Sequence, residues 1–134
     1  MISFFVSGSP VPQGSMNAFV SHTTKRVIMP QKKAVREWRE VVAKCARSAI
    51  RNEKWLLGGA KFVELGFVLK APKKNDRKRP HVKPDIDKVA RAILDSLTGV
   101  LYDDDAQVCE LLAWKVYPDD RFTEVGVYVT VADM

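Results

Sequence analysis

Lys83-Pro84-Asp85-Ile86-Asp87-Lys88-Val89-Ala90-Arg91-Ala92-Ile93-Leu94-Asp95-Ser96-Leu97 carries the cleanest helical pattern in the chain. Its apolar members Ile86, Val89, Ala90, Ile93, Leu94 and Leu97 step by 3, 1, 3, 1 and 3, which lines them along one face of a helix. Asp85, directly after Pro84, suits the N-cap, and Gly99 suits the C-terminal cap. Upstream, Ala60 to Leu69 is rich in apolar and aromatic residues and reads as a strand. Downstream, the acidic loop Tyr102-Asp103-Asp104-Asp105 leads into two more strands, Gln107 to Tyr117 and Phe122 to Val131. Pro118-Asp119-Asp120-Arg121 supplies turn residues between them, so these last two strands are expected to form a hairpin.

The amino-terminal half completes the pattern. Ile2, Phe4 and Val6 alternate with Ser3, Phe5 and Ser7 as in a half-buried strand, which stops at Gly8-Ser9-Pro10-Val11-Pro12. Asn17 to Val20 and Arg26 to Met29 are expected to form a small ribbon about His22-Thr23-Thr24-Lys25. From Gln31 to Ile50 the residues Val35, Trp38, Val41, Val42, Cys45, Ala46, Ala49 and Ile50 recur three or four apart, the mark of an amphipathic helix. The order strand, helix, strand, helix, strand, strand predicts an α+β fold, with two helices on one face of a mixed sheet. With 134 residues, 46% of them apolar, the chain matches one domain spanning 1–134 with a basic loop at 73–83.

Composition narrows the function. Two cysteines, Cys45 and Cys109, do not make a disulfide scaffold and are expected to be buried free thiols in a reducing, cytoplasmic setting. No apolar run approaches the roughly 20 residues a membrane span needs, and the start Met1-Ile2-Ser3-Phe4-Phe5 has no basic leader. No membrane partner is expected. Lys and Arg number 22 against 16 Asp and Glu, a net charge of +6 that favours an anionic partner. Lys73, Lys74, Arg77, Lys78, Arg79 and Lys83 face only Asp76 as a counter-charge. Such a run is either a solvated loop or an arm for nucleic-acid phosphates, whose neutralisation releases condensed counterions.

Carboxylates stand where this basic run ends. Capping explains Asp85, and the helix dipole with the i,i+4 spacing to Arg91 explains Asp87. Neither explains Asp103-Asp104-Asp105 at the entrance to a strand, where adjacent like charges repel. Carboxylates beside a phosphate-binding surface are the arrangement by which Mg²⁺ is held, through one or two carboxylates plus substrate phosphate. Asp85 and Asp87 can converge on one ion only if Asp85 stays extended, because residues two apart do not share a helix face. The helix runs about 20 Å from Asp85, and the six residues from Gly99 to Asp105, if extended, could just retrace that length.

These residues carry a family likeness. The helix segment with its Pro-Asp-x-Asp opening, followed by Asp104-Asp105-Ala106-Gln107-Val108, resembles the RusA family of Holliday junction resolvases, as does Gly8-Ser9-Pro10-Val11-Pro12 after the first strand. The resemblance implies a small homodimeric, Mg²⁺-dependent endonuclease, with Mn²⁺ as a possible substitute, that nicks four-way DNA junctions symmetrically in recombination and repair. It places the essential carboxylates on Asp85, Asp87 and Asp105, with Asp104 a neighbouring candidate and Asp95 at a matching position. Two residues depart from the pattern. Lys88 stands where the family usually has Asn, and Arg91 where it has a lysine. Arg91 keeps the charge but cannot give up a proton, so it is expected to stabilise negative charge, with Lys88 supplying the compact ammonium.

The remaining features point elsewhere. Trp38, Trp55 and Trp114 are candidates for stacking on unpaired junction bases, but Trp38 and Trp114 lie on apolar-patterned elements and are expected in the core or a dimer interface; Met16 and Phe19 are expected in loop packing, with contact to a partner subunit or DNA the alternative. His22 and His81 lack metal-ligand partners at useful spacing, so no zinc site is expected. No phosphate-cradling glycine loop is present, so no nucleotide cofactor is expected. The rival reading is a non-catalytic basic DNA- or RNA-binding module whose aspartates cap a helix and solvate a loop. A third, a basic assembly protein, leaves the aspartates idle.

Overall fold

The computed structural model describes residues 1–14, 19–20, 27–28 and 32–134. Along the chain run β1 (Ile2–Ser7), β2 (Phe19–Val20), β3 (Val27–Ile28), α1 (Lys32–Ile50), β4 (Lys61–Val68), α2 (Ile86–Leu97), a short 3₁₀ turn (Asp105–Gln107), β5 (Val108–Val116) and β6 (Gly126–Asp133). The main sheet has the order β1-β6-β4-β5. β6 is antiparallel to both β1 and β4, and β5 is parallel to β4. The α+β expectation of two helices against a mixed sheet holds, and β2 and β3 form the expected ribbon. Its turn, with His22, and Met16 lie outside the described residues.

The expected hairpin does not form. β6 inserts between β1 and β4, while β5 pairs with β4 and takes the edge of the sheet. Burial accounts for the swap. Val127, Val129 and Val131 of β6 are essentially without solvent exposure, as a central strand requires, whereas Leu111 and Leu112 of β5 stay exposed. Turn chemistry at 118–121 is local and says nothing about which strand the chain pairs with next. The same edge position corrects the expectation for Cys109, whose thiol is free but exposed; Cys45 is free and half-buried.

The core lies between the sheet and the helices. Val63, Leu65 and Phe67 of β4 alternate onto the helix-facing side, where they meet Val42 and Ala46 of α1 and Val89, Ile93 and Leu97 of α2. Trp38 is buried here, as expected. On the other face Gly66 makes room for Trp114, since a Cβ at residue 66 would sit 2.1 Å from the indole ring. Trp114 in turn packs on Phe122, ring centroids 5.1 Å apart. Gly66→Ala should therefore displace the indole and cost about 2 kcal/mol, read as a lower urea midpoint at unchanged slope.

Among the described residues no helix is long and apolar enough to cross a membrane.

Candidate active site

At the start of α2 the chain is extended through Asp85, with φ −66° and ψ 139°, as convergence with Asp87 requires. The Asp85 side chain caps no backbone N–H. Its carboxylate instead accepts from Lys88 Nζ at 3.2 Å, and the pair is about half exposed, so the contact orients the groups more than it stabilises the fold. Asp87 and Arg91 lie one turn apart and are exposed. Pro12, Lys83, Pro84, Asp85 and Lys88 line a cavity of about 440 Å³. The basic arm thus delivers Lys83 to the side of Asp85. Lys115 of β5 fixes this end, its Nζ donating to Val82 O and Pro84 O at 3.0 Å each.

The other acidic group is built at the far end of α2. The loop after Leu97 folds back compactly rather than extending: Gly99 N donates to Tyr102 O at 2.7 Å, and Leu101 and Tyr102 are buried. Gly99 adopts φ 82°, the left-handed conformation that ends a helix, as its place in the sequence predicts. Asp104 caps the 3₁₀ turn by accepting from Ala106 N at 2.8 Å. Gln107 reciprocates, its Oε1 accepting from Asp103 N and Asp104 N while its Nε2 donates to Leu57 O and Gly59 O. Asp105 is held beside Asp95 and Asp104. Partial desolvation, hydrogen bonding with those two carboxyls and their like charge raise its pKa above the usual carboxylate value. Asp95 Oδ2 accepts from Gln13 Nε2.

Tyr102 closes the floor of this group. Its hydroxyl donates to Leu94 O at 2.6 Å, and burial, with smaller contributions from Asp105 and Asp95, pushes its pKa well up. The unfolded chain ionises this phenol near pH 10 while the folded chain keeps it neutral. That difference stabilises nothing below pH 10 and favours unfolding above it. Stability should fall as pH rises past about 10, and Tyr102→Phe should flatten the decline in denaturant titrations run from pH 8 to 11.

The structure thus brings Asp85 to Lys88 and Asp105 to Asp95 and Asp104, and holds the two groups apart. Asp85 and Asp95 are ten residues apart on α2, about 15 Å along its axis. The topology enforces this, because a helix linking parallel strands runs antiparallel to them. Pro84 sits by the carboxyl end of β5 through Lys115, and Gln107 sits by the amino end of β4 through Gly59. Among the described residues no three His, Cys, Asp or Glu side chains close on a single point as metal ligands would.

In the basic arm Lys73, Lys74, Lys78, Arg79 and Lys83 are exposed and Arg77 is half-buried. Asn75 folds the arm locally, its Oδ1 accepting from Arg77 N and its Nδ2 donating to Arg77 O at 3.2 Å each, and Pro80 is buried beneath it. Gln13, Gln107 and the contact made by Asp95 were not foreseen from the sequence. Gln107 had a local signal, since Asp followed three residues later by Gln is a capping-box pattern. Gln13 had none, its partner lying 82 residues away.

The model of the endodeoxyribonuclease RusA family matches residues 8–131, a span that takes in Gln13, the basic arm and both acidic groups. The chain belongs to the RusA endodeoxyribonuclease family. A curated relative, the uncharacterized protein YqaN of Bacillus subtilis (strain 168), is 26% identical over 138 residues, with 94% of each chain covered. Within the RusA frame the fold sets Asp85 and Asp87 at the start of α2 and Asp104 and Asp105 on the 3₁₀ turn by its far end, with Lys83 of the cationic arm beside the first pair.

Proposed function

We propose that this RusA-family chain is a Mg²⁺-dependent endonuclease that resolves four-way DNA junctions by paired, symmetric phosphodiester hydrolysis, and that its sites are completed between two copies of the chain. The separation of the acidic groups carries this reading. One chain presents Asp85 and Asp87 at one end of α2 and Asp105, with Asp104 alongside, at the other, so a single chain offers at each end only part of the set. A two-fold partner can set the Asp85/Asp87 end of one chain against the Asp105 end of the other, generating two equivalent sites for two symmetric cuts.

The donor chemistry fits a hard divalent cation. Asp95 and Asp105 are neighbouring carboxylates, and among the described residues neither has a Lys or Arg within ion-pair distance. When bound, Mg²⁺, or Mn²⁺ in its place, lowers the pKa of a water and offsets charge on a phosphoryl oxygen. Asp85, Asp87 and Asp105 would hold it. Arg91, permanently charged, would stabilise negative charge on the phosphate, and Lys88, already on Asp85, would supply the compact ammonium. Attack in line would leave a 5′-phosphate and a 3′-hydroxyl. Lys73, Lys74, Arg77, Lys78, Arg79 and Lys83 would hold the junction strands through phosphate contacts that position without reading sequence. The setting is the cytoplasm of a bacterium or of a phage-infected cell.

The test is nicking of a synthetic four-way junction with Mg²⁺ or Mn²⁺, compared with linear duplex. Selective, paired nicking is expected. Tight junction binding without any cutting would instead favour the non-catalytic DNA- or RNA-binding module, a reading consistent with the lack of a three-ligand cluster among the described residues.

A further inference from the structure

The amino-terminal segment crosses α2 alongside the acidic residues. Gln13 N donates to Lys88 O at 2.9 Å, which fixes the backbone of the segment on the helix. Gly14 allows the close approach, since a Cβ there would lie 2.7 Å from Cε of Lys88. From this anchor the Gln13 side chain reaches along α2 to Asp95, where its Nε2 donates to Oδ2. Asp95 in turn interacts with the Asp105 carboxyl.

The amide is placed at a cost. Only its NH₂ end can donate to a carboxylate, so Oε1 must face away, and there it is buried with no hydrogen-bond partner among the described residues. A buried acceptor left unpaired is unfavourable, so the arrangement is poorly accounted for by stability alone. What it does achieve is to tether one Asp95 oxygen and restrict how the other meets Asp105.

We propose that Gln13 is a positioning residue for the acidic centre: its amide orients the Asp95 carboxylate toward Asp105, and so sets the donor geometry at the Asp105 end of α2. The inference rests on the nuclease reading for its consequence, but the contact itself can be observed without activity.

Two measurements test it. In ¹H–¹⁵N spectra the Gln13 side-chain amide protons should be shifted from free-amide positions and slow to exchange, and Asp95→Ala should return them to free positions. In single-turnover nicking at saturating junction, Gln13→Met should lower the rate constant about tenfold while junction affinity without metal and melting temperature stay near wild type. Asp95→Asn should have a similar effect, and the double variant should be no slower than either single one. Gln13→Asn combined with Asp95→Glu moves one methylene across the contact and should recover most of the rate lost in each single variant.

A Gln13 amide that exchanges freely whatever stands at 95 overturns the proposal, as do independent, multiplying effects of Gln13→Met and Asp95→Asn. Wild-type protein that cuts no junction, yet holds its Gln13 amide in an Asp95-dependent manner, supports the positioning contact and defeats the nuclease reading.

Discussion

Chains carrying Asp85→Asn and chains carrying Asp105→Asn, each silent alone, are expected to nick a four-way junction once mixed. Each substitution keeps side-chain shape and removes a charged oxygen donor, so each homodimer should lose about two orders of magnitude or more in nicking rate. In a mixed dimer with sites shared between copies, the intact Asp105 of one chain meets the intact Asp85 of the other. One site is whole and its symmetry mate lacks both residues. With random pairing, half of the dimers carry one working site, and the mixture should recover about a quarter of the wild-type capacity, as single nicks rather than paired cuts. If each site were built within one chain, every site in the mixture would lack a carboxylate and nothing would be recovered. Junction binding without metal should be unchanged in all three samples, because strand positioning is assigned to the basic arm.

Lys61→Met should be the most damaging single change to stability outside the apolar core. Lys61 opens β4 with no solvent exposure, and its ammonium donates to Leu56 O at 2.8 Å, to Gly58 O at 2.9 Å and to Asp133. It also lies 4.6 Å from the ring centroid of Trp55, whose indole N–H donates to Leu101 O. Methionine fills similar volume but leaves two carbonyls without their donor and removes the cation from the ring, a loss of about 3 kcal/mol in chemical denaturation. Asp133→Asn should cost much less. Its side chain is 64% exposed, so water replaces what the ion pair supplied.

Local pattern carried most of the architecture. The 3-and-4 spacing from Val35 to Ile50 and from Ile86 to Leu97 reflects which face each helix buries, and both helices form over nearly those bounds. The alternation of Ile2, Phe4 and Val6 likewise locates β1. Pairing order was not legible, because whether β6 folds back on β5 or slides between β1 and β4 depends on competition among distant strands. Lys61 read as one more strand residue for a similar reason. Its acceptors are carbonyls of the preceding loop and a carboxylate 72 residues away. The acidic residues were recognisable from motif and spacing, yet their grouping was not. An extended return from Gly99 to Asp105 was sterically open, but Tyr102 burying its ring and bonding Leu94 O makes the compact turn the one adopted, and Asp105 stops level with Asp95.

Mounting the two acidic groups at opposite ends of α2 has a corollary in mass action. On the shared-site reading a freshly made or diluted chain is harmless to the chromosome, since it must meet its twin before it can cut. Below the dissociation constant for self-association, cutting should rise with the square of protein concentration. Expression level would then act as the safety catch on an enzyme that breaks DNA.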